Sequence, residues 1–211
     1  MKPFDLSLYL VTDPDLTMGR PLLPIIEEAV AGGVTMVQLR EKEASSRAFY
    51  ELAKATKELL KGTGVPLIIN DRLDIALAVD AEGLHIGQSD LPHDIARKLL
   101  GPDKILGWSV ETIEQAREAN QFDVDYIGLS PVFSTQTKSD ISKPLELEGV
   151  REISSFTKHA TVAIGGVGLQ NTSEVIQAGA DGIAVVSAII SHEQPKQISE
   201  QLKALVVNSK I

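Results

Sequence analysis

Apolar residues along this chain gather into eight short runs rich in β-branched and aliphatic side chains. They are Leu8–Val11, Met36–Leu39, Leu67–Ile69, Leu84–Ile86, Ile105–Leu106, Tyr126–Leu129, Val162–Ile164 and Ile183–Val186. Each ends in glycine or polar residues, so each reads as a buried strand. Between them the apolar positions take a helical period, best seen at Phe49, Leu52, Ala53, Thr56, Leu59 and Leu60, and again at Ile198, Leu202, Leu205 and Val206. Gly32-Gly33, Gly62, Gly101 and Gly179 stand where helices would end, with Pro66 and Pro102 shortly after two of them. The predicted order is strand then helix, repeated.

Eight such units in 211 residues are what a closed (β/α)8 TIM barrel requires, an α/β fold expected here as a single domain spanning residues 1–211. An open doubly wound sheet is the competitor. Its dinucleotide-binding version is weakened because Thr12-Asp-Pro-Asp-Leu-Thr17, and no Gly-x-Gly-x-x-Gly turn, follows the first strand. The longest connection, 130–149, is predicted to be a functional lid.

Composition narrows the function classes. With 43% hydrophobic residues and no long apolar segment the chain reads as a soluble globular protein, and the first residues lack a signal-peptide pattern, so a cytoplasmic location is expected. The absence of cysteine excludes disulfides and thiolate chemistry. A net charge of −9 argues against broad contact with nucleic acid or anionic membrane, while leaving room for a local basic site that takes small phosphorylated molecules. Homo-oligomerisation is left open.

Active sites on such barrels are built from the loops that follow the strands. The second strand leads to Gln38, Arg40, Glu41 and Lys42, the third to Asn70-Asp71-Arg72, the fourth to Gln88 and Asp90, the fifth to Ser109. After the sixth, Gly128–Lys138 opens from an apolar run into Ser134, Thr135, Gln136, Thr137 and Lys138, a loop able to hold phosphate. Asp71 and Asp90 follow neighbouring strands and can share one hard cation such as Mg²⁺; alternatively each caps the helix ahead of it. Arg40, Lys42 and Lys138 would neutralise a polyanion, with the catalytic demand falling on these three; alternatively Arg40–Lys42 is a solvated charge run. Gly165-Gly166 and Val186-Ser187 suggest a second phosphate pocket, or else only tight turns. His85 reads as a packed, hydrogen-bonded histidine, His93, His159 and His192 as surface residues, and Trp108 as core rather than a substrate wall.

Seven blocks in order, Tyr9-Leu-Val-Thr-Asp13, Gln38-Leu-Arg-Glu-Lys42, Asn70-Asp71, His85-Ile-Gly-Gln88 with Asp90, Ser130-Pro-Val-Phe133, Thr135-Gln-Thr-Lys138 and Ala163-Ile-Gly-Gly-Val167, resemble thiamine-phosphate synthase over nearly the whole chain. The resemblance implies joining of a hydroxymethylpyrimidine diphosphate to a thiazole phosphate, or its carboxylated precursor, with Mg²⁺ and release of pyrophosphate. By that analogy Gln38, Arg40, Lys42, Asn70, Ser109 and Lys138 bind the pyrimidine diphosphate. Asp71 and Asp90 hold the magnesium, and Thr135–Thr137, Gly166, Val186 and Ser187 hold the thiazole phosphate. The chain departs from the family pattern at Glu111, where many members carry histidine. The related thiazole tautomerase is expected to carry histidine where this chain has Pro131. Two further alternatives are a Schiff-base aldolase using Lys138 or Lys42 and a noncatalytic barrel that senses a phosphorylated metabolite.

Overall fold

Helix α2 (Ser46–Leu60) shows how local chemistry sets the elements. Ser45 caps its start by accepting a hydrogen bond from the Ala48 N–H at 3.2 Å. Phe49, Ala53, Thr56 and Leu60 fall on one buried stripe, and the Thr56 hydroxyl spends its proton on the Leu52 carbonyl at 2.9 Å. Phe49 is fully buried, so Phe49→Ala is expected to cost about 3–5 kcal/mol. Gly33, Gly62, Gly101 and Gly179 all take positive φ just past their helices, where the sequence placed helix ends.

The structure is a computed structural model describing residues 4–134 and 143–210. Within them, β1 (Leu8–Val11), β2 (Met36–Leu39), β3 (Leu67–Asn70), β4 (Gly83–Ile86), β5 (Ile105–Val110), β6 (Tyr126–Leu129), β7 (Ala160–Ile164) and β8 (Gly182–Val185) pair in parallel and close as β1 meets β8. The remaining helices are α1 (Leu22–Ala31), α3 (Leu73–Ala78), α4 (His93–Leu100), α5 (Ile113–Ala119), α6 (Glu146–Phe156), α7 (Thr172–Gln177), α8 (Ser187–Ile190) and α9 (Pro195–Ser209). The expected (β/α)8 barrel is therefore the observed fold.

Two boundaries differ from the sequence reading in ways that matter for the site. The fifth run stops at Leu106 in apolar pattern, but β5 continues through Gly107 to Val110, which puts Ser109 inside a strand. Gly107 belongs there because a Cβ on it would lie 2.1 Å from Tyr126 Cζ, so only glycine leaves space for that ring. At the other edge, β8 ends at Val185, and Val186 becomes the residue that opens α8. The connection after β6 is shorter than expected, because α6 already starts at Glu146; residues 135–142 of it lie outside the described set.

Apolar side chains form two layers. One fills the space between strands and helices, with Leu10, Val37, Ile69, Leu84, Ile127 and Ala163 facing outward from the barrel. The other fills the barrel interior, with Tyr9, Met36, Ile68, Ile105, Tyr126 and Val162. No described helix is long and apolar enough to cross a membrane.

Candidate functional site

Inward positions change character along each strand, because successive side chains alternate faces and the interior row is read two residues at a time. Met36 is followed inward by Gln38, Ile68 by Asn70, and Ile105, past Gly107, by Ser109. The apolar members pack the lower interior, and the polar ones line a cavity at the carboxyl ends of the strands, together with Arg40, His85, Gly166, Val186 and Ser187. Seven of the sequence-predicted site residues, Gln38, Arg40, Asn70, Ser109, Gly166, Val186 and Ser187, thus meet around one cavity.

Polar bonds set its wall. Gln38 Nε2 donates to the Tyr9 hydroxyl at 2.8 Å, the Tyr9 and Tyr126 hydroxyls lie 2.9 Å apart, and His85 bridges Tyr126 at 2.9 Å and Ser109 Oγ at 2.8 Å. His85 is therefore packed and hydrogen-bonded, as its position in the strand suggested. Gln88 Nε2 donates to the Ser109 carbonyl at 2.6 Å and ties the β4 loop to β5. Trp108 faces outward into the layer between strands and helices, 5.0 Å from the Phe122 ring, and does not border the cavity. His93 stacks on Phe122 at 3.6 Å, His159 Nε2 donates to the Ala119 carbonyl at 2.7 Å, and His192 Nδ1 accepts the Gln194 N–H at 3.0 Å.

Charged groups gather at the rim beside this cavity. Arg40 Nη1 lies 3.0 Å from Asp13 Oδ2, and Lys42 Nζ lies 2.6 Å from Asp71 Oδ2. Asp71, which directly follows the cavity residue Asn70, sits at φ 61, a left-handed conformation uncommon outside glycine and enriched in Asp and Asn. Neither aspartate caps a helix. The α3 and α4 caps are Arg72 and Pro92, both without a side-chain bond, and Asp90 Oδ2 instead accepts the Gly87 N–H at 2.6 Å. Burial pushes the Asp90 carboxyl above its ordinary range; a hydrogen bond that its protonated form donates to Asp71, and that neighbour's charge, push it further, while Gly87 and Lys42 oppose them. Glu41 is pushed up too, by burial and then by Asp13 and Asp15, with Arg40 opposing.

A carboxylate whose charge is disfavoured beside a second carboxylate is suited to sharing a divalent cation with it. Among the described residues no cluster of three or more His, Cys, Asp or Glu side chains offers a closed metal cage. Hard oxygen donors from one or two carboxylates, with the remaining positions left to water and substrate phosphate, are what Mg²⁺ takes, so Asp71 and Asp90 fit that ion. The charge balance supports the same conclusion: Asp13 pairs with Arg40 and Asp71 with Lys42, while Glu41 and Asp90 form no ion pair among the described residues and Asp15 adds a further negative charge beside Glu41. A polyanion would meet net repulsion there without added positive charge.

Backbone forms the opposite wall. Gly165 and Gly166 take φ of 98 and 66, and a Cβ on either would come within 2.8 Å of Pro131 Cβ or Phe133 Cβ. Glycine is thus required both by conformation and by the close passage of the β6 loop, whose Phe133 N–H donates to the Gly165 carbonyl at 3.0 Å. Asn171 braces the turn, donating to the Gly166 carbonyl and accepting from the Gly168 N–H, each at 2.9 Å. Val186 opens α8 without any side-chain cap, and Gly166, Val186 and Ser187 all line the cavity. Thr135, Gln136, Thr137 and Lys138 lie outside the described residues.

Four residues that the structure places in or beside the cavity wall were given no role in the sequence analysis: Tyr9 and Tyr126 stood in apolar runs, Asp13 stood only within a motif block, and Asn171 was not named. A phenol inside an otherwise aliphatic strand was the available signal for the first two.

Comparison with known proteins gives a consistent picture. A family model described as thiamine monophosphate synthase matches residues 8–189. The thiamine-phosphate synthase of Syntrophomonas wolfei is 55% identical over 186 residues, covering 88% of this chain and 89% of its own length. That of Vibrio campbellii is 50% identical over 199 residues, covering 94% of this chain and 97% of its own. The solved structure of thiamine phosphate pyrophosphorylase from Pyrococcus furiosus superposes with a TM-score of 0.89 at 37% identity, covering 97% of this chain and 96% of that one.

Proposed function

The chain belongs to the thiamine monophosphate synthase family, and from that premise we propose that its cavity joins a hydroxymethylpyrimidine diphosphate to a thiazole phosphate, or to the carboxylated thiazole. The products are thiamine phosphate and pyrophosphate, with carbon dioxide released as well when the carboxylated thiazole is used. The juxtaposition that supports this reading is an acidic and basic rim, Arg40, Lys42, Asp71 and Asp90, beside a cavity with one polar wall and one main-chain wall.

In the proposed reaction the bond between the pyrimidine methylene and the diphosphate oxygen breaks, and its electron pair leaves on pyrophosphate. The thiazole nitrogen supplies its lone pair to the same methylene, forming the new carbon–nitrogen bond. The step needs no proton from the protein, so it calls for placement of the two rings more than for a general base. Arg40, Lys42 and Lys138 place positive charge where negative charge develops on the leaving group, which is often the largest catalytic contribution. Arg40 and Lys42 are held by Asp13 and Asp71, so an entering diphosphate competes with two carboxylates for them. Mg²⁺ on Asp71 and Asp90 would supply further positive charge to the departing pyrophosphate.

Gln38, Asn70 and Ser109 hold the pyrimidine in this reading, and Gly166, Val186 and Ser187, with Thr135–Thr137, hold the thiazole phosphate. Fixing both rings face to face replaces an encounter in solution with one within a single complex. We place the enzyme in the cytoplasm, acting on small phosphorylated molecules. The test is incubation of purified protein with both substrates, with Mg²⁺ or with a chelator. Pyrophosphate release that needs both substrates and the metal is expected; release from one substrate alone, or thiazole isomerisation without thiamine phosphate, overturns the reading.

A further inference from the structure

Five polar side chains cross the barrel interior in one unbroken series: Gln38, Tyr9, Tyr126, His85 and Ser109, with successive separations of 2.8, 2.9, 2.9 and 2.8 Å. They come from five strands, β2, β1, β6, β4 and β5, so closure of the barrel is what assembles them. Tyr9 and Tyr126 are 1% and 0% exposed, and the Tyr126 ring stacks on His85 with centroids 5.5 Å apart. The space for that ring is provided by Gly107 and continues past Gly128, where a Cβ would lie 3.3 Å from His85 Cε1.

Donor and acceptor roles along the series follow from its first member. An amide nitrogen only donates, so the Tyr9 hydroxyl accepts from Gln38 and passes its own proton to Tyr126. Burial pushes both phenols well above their ordinary range, so each keeps the one proton it has to give. Tyr126, accepting from Tyr9, donates to His85 Nδ1. A neutral imidazole that accepts at Nδ1 carries its proton on Nε2, and that proton goes to Ser109 Oγ. The Ser109 hydroxyl proton is then not used within the series. Aligned hydrogen bonds polarise one another in a low-dielectric interior, which reinforces one direction over the other.

We propose that Tyr9, Tyr126 and His85 are positioning residues that lock this relay in one direction, so that its ends offer the substrate ring one acceptor, Gln38 Oε1, and one donor, the Ser109 hydroxyl. Both end residues line the cavity, and neither end group has a protein partner of that kind among the described residues. An aminopyrimidine carries an amino N–H donor and ring-nitrogen acceptors, one of them across the ring from the amino group, the two kinds of group that this separated pair would take. The proposal rests on the reading that such a ring enters this cavity. The direction of the relay can be measured whether or not that reading holds.

The test uses the intact ¹⁵N-labelled protein, with the His85 imidazole signals assigned by their loss in His85→Asn. Wild-type His85 is expected as the Nε2–H tautomer. Gln38→Glu replaces a donor with an acceptor of the same shape, which reverses every bond and moves the proton to Nδ1. Tyr126→Phe keeps the ring and removes the link; it is expected to raise KM for the pyrimidine diphosphate about tenfold while leaving KM for the thiazole phosphate unchanged. An Nδ1–H tautomer in the wild type, the same tautomer in wild type and Gln38→Glu, or equal changes in both KM values overturns the proposal. If Tyr126→Phe does not fold, the tautomer comparison alone decides. If the wild type forms no thiamine phosphate, the assigned reaction fails and the tautomer comparison still decides the relay.

Discussion

Carboxylates stand at both rims of this barrel, and their circumstances are opposite. At the amino-terminal rim Asp125 accepts the Leu106 N–H at 2.7 Å and pairs with Arg97 at 2.6 Å, Asp181 accepts the Thr161 N–H at 2.8 Å, and Glu82 accepts the Leu67 N–H at 3.0 Å while pairing with Lys57. Each satisfies a main-chain donor in the first two residues of a strand and has little left to offer. At the carboxyl-terminal rim Asp90 faces Asp71, and burial followed by that proximity raises its carboxyl instead of relieving it. One residue type therefore braces the fold at one end and stays electrostatically incomplete at the other. In barrels of this kind stability resides at the first rim and chemistry at the second.

The sharpest way to break that contrast is to remove one acid from each rim. Arg97 donates to the carbonyls of Gly101, Lys104 and Asp123 as well as to Asp125, and it is 9% exposed. Asp125→Ala leaves this buried guanidinium only the solvent-screened Asp123 carboxylate, 3.5 Å away, as counter-charge, and a loss of about 3–5 kcal/mol in the free energy of denaturant unfolding is expected. Asp71→Ala is expected to leave the unfolding midpoint near that of the wild type. If both variants lose stability alike, the division between rims is wrong.

Turnover should respond in the reverse order. Asp71→Ala and Lys138→Ala are expected to cut thiamine phosphate formation at least about tenfold with the fold retained, since each removes charge proposed to act on the leaving group. Steady-state rates beside circular dichroism check this, and wild-type rates in both variants sink the proposed roles. A smaller effect sharpens the metal assignment. Asp90→Asn relieves the mismatch with Asp71, so without metal its melting temperature should rise by no more than about 2–4 °C. Mg²⁺ should raise the melting temperature of the wild type but not of this variant, and a chelator should cancel the gain.

These contrasts also mark what could be read from the sequence. Each of the eight apolar runs lies wholly or largely in a strand, because buried parallel strands leave continuous apolar stretches that need no tertiary information. β5 was read too short because Gly107 and Ser109 interrupt its apolar pattern, and the reason for Gly107 is a ring supplied by β6. Site residues at strand ends, such as Arg40, Asn70 and Asp71, were legible because barrel topology assigns those positions to the active face. Partners set by closure were not. The Tyr9 and Tyr126 hydroxyls meet across 117 residues, and the Asp13–Arg40 pair joins two neighbouring loops. Capping of α3 and α4 by Asp71 and Asp90, an open alternative in the sequence, lost to interactions with Lys42 and Gly87 that only the folded loops create.

The smallest predicted effect returns to the amino-terminal rim and asks whether even an exposed acid there is satisfied. Burial pushes the Asp5 carboxyl up, but hydrogen bonds from the Ser7 side chain and main chain and from Lys203, together with the Lys203 charge, outweigh it and hold it below the ordinary carboxylate range. Lys203 Nζ stands 3.0 Å from Asp5 Oδ2, so this contact ties the residues before β1 to α9. A depressed folded-state value means that the ionised form is preferred in the native protein. Its contribution to stability is present above the unfolded-state value, about 3.9, and fades as pH falls through the lower folded value. Asp5→Asn should therefore be slightly less stable than the wild type at neutral pH, and the gap should close as the solution is taken below that range. Denaturant midpoints of the two proteins, compared at pH 7 and again near pH 3, measure it. A gap of constant size would mean that Asp5 acts through packing alone, leaving the better-shielded Asp125, Asp181 and Glu82 to carry the comparison between the rims.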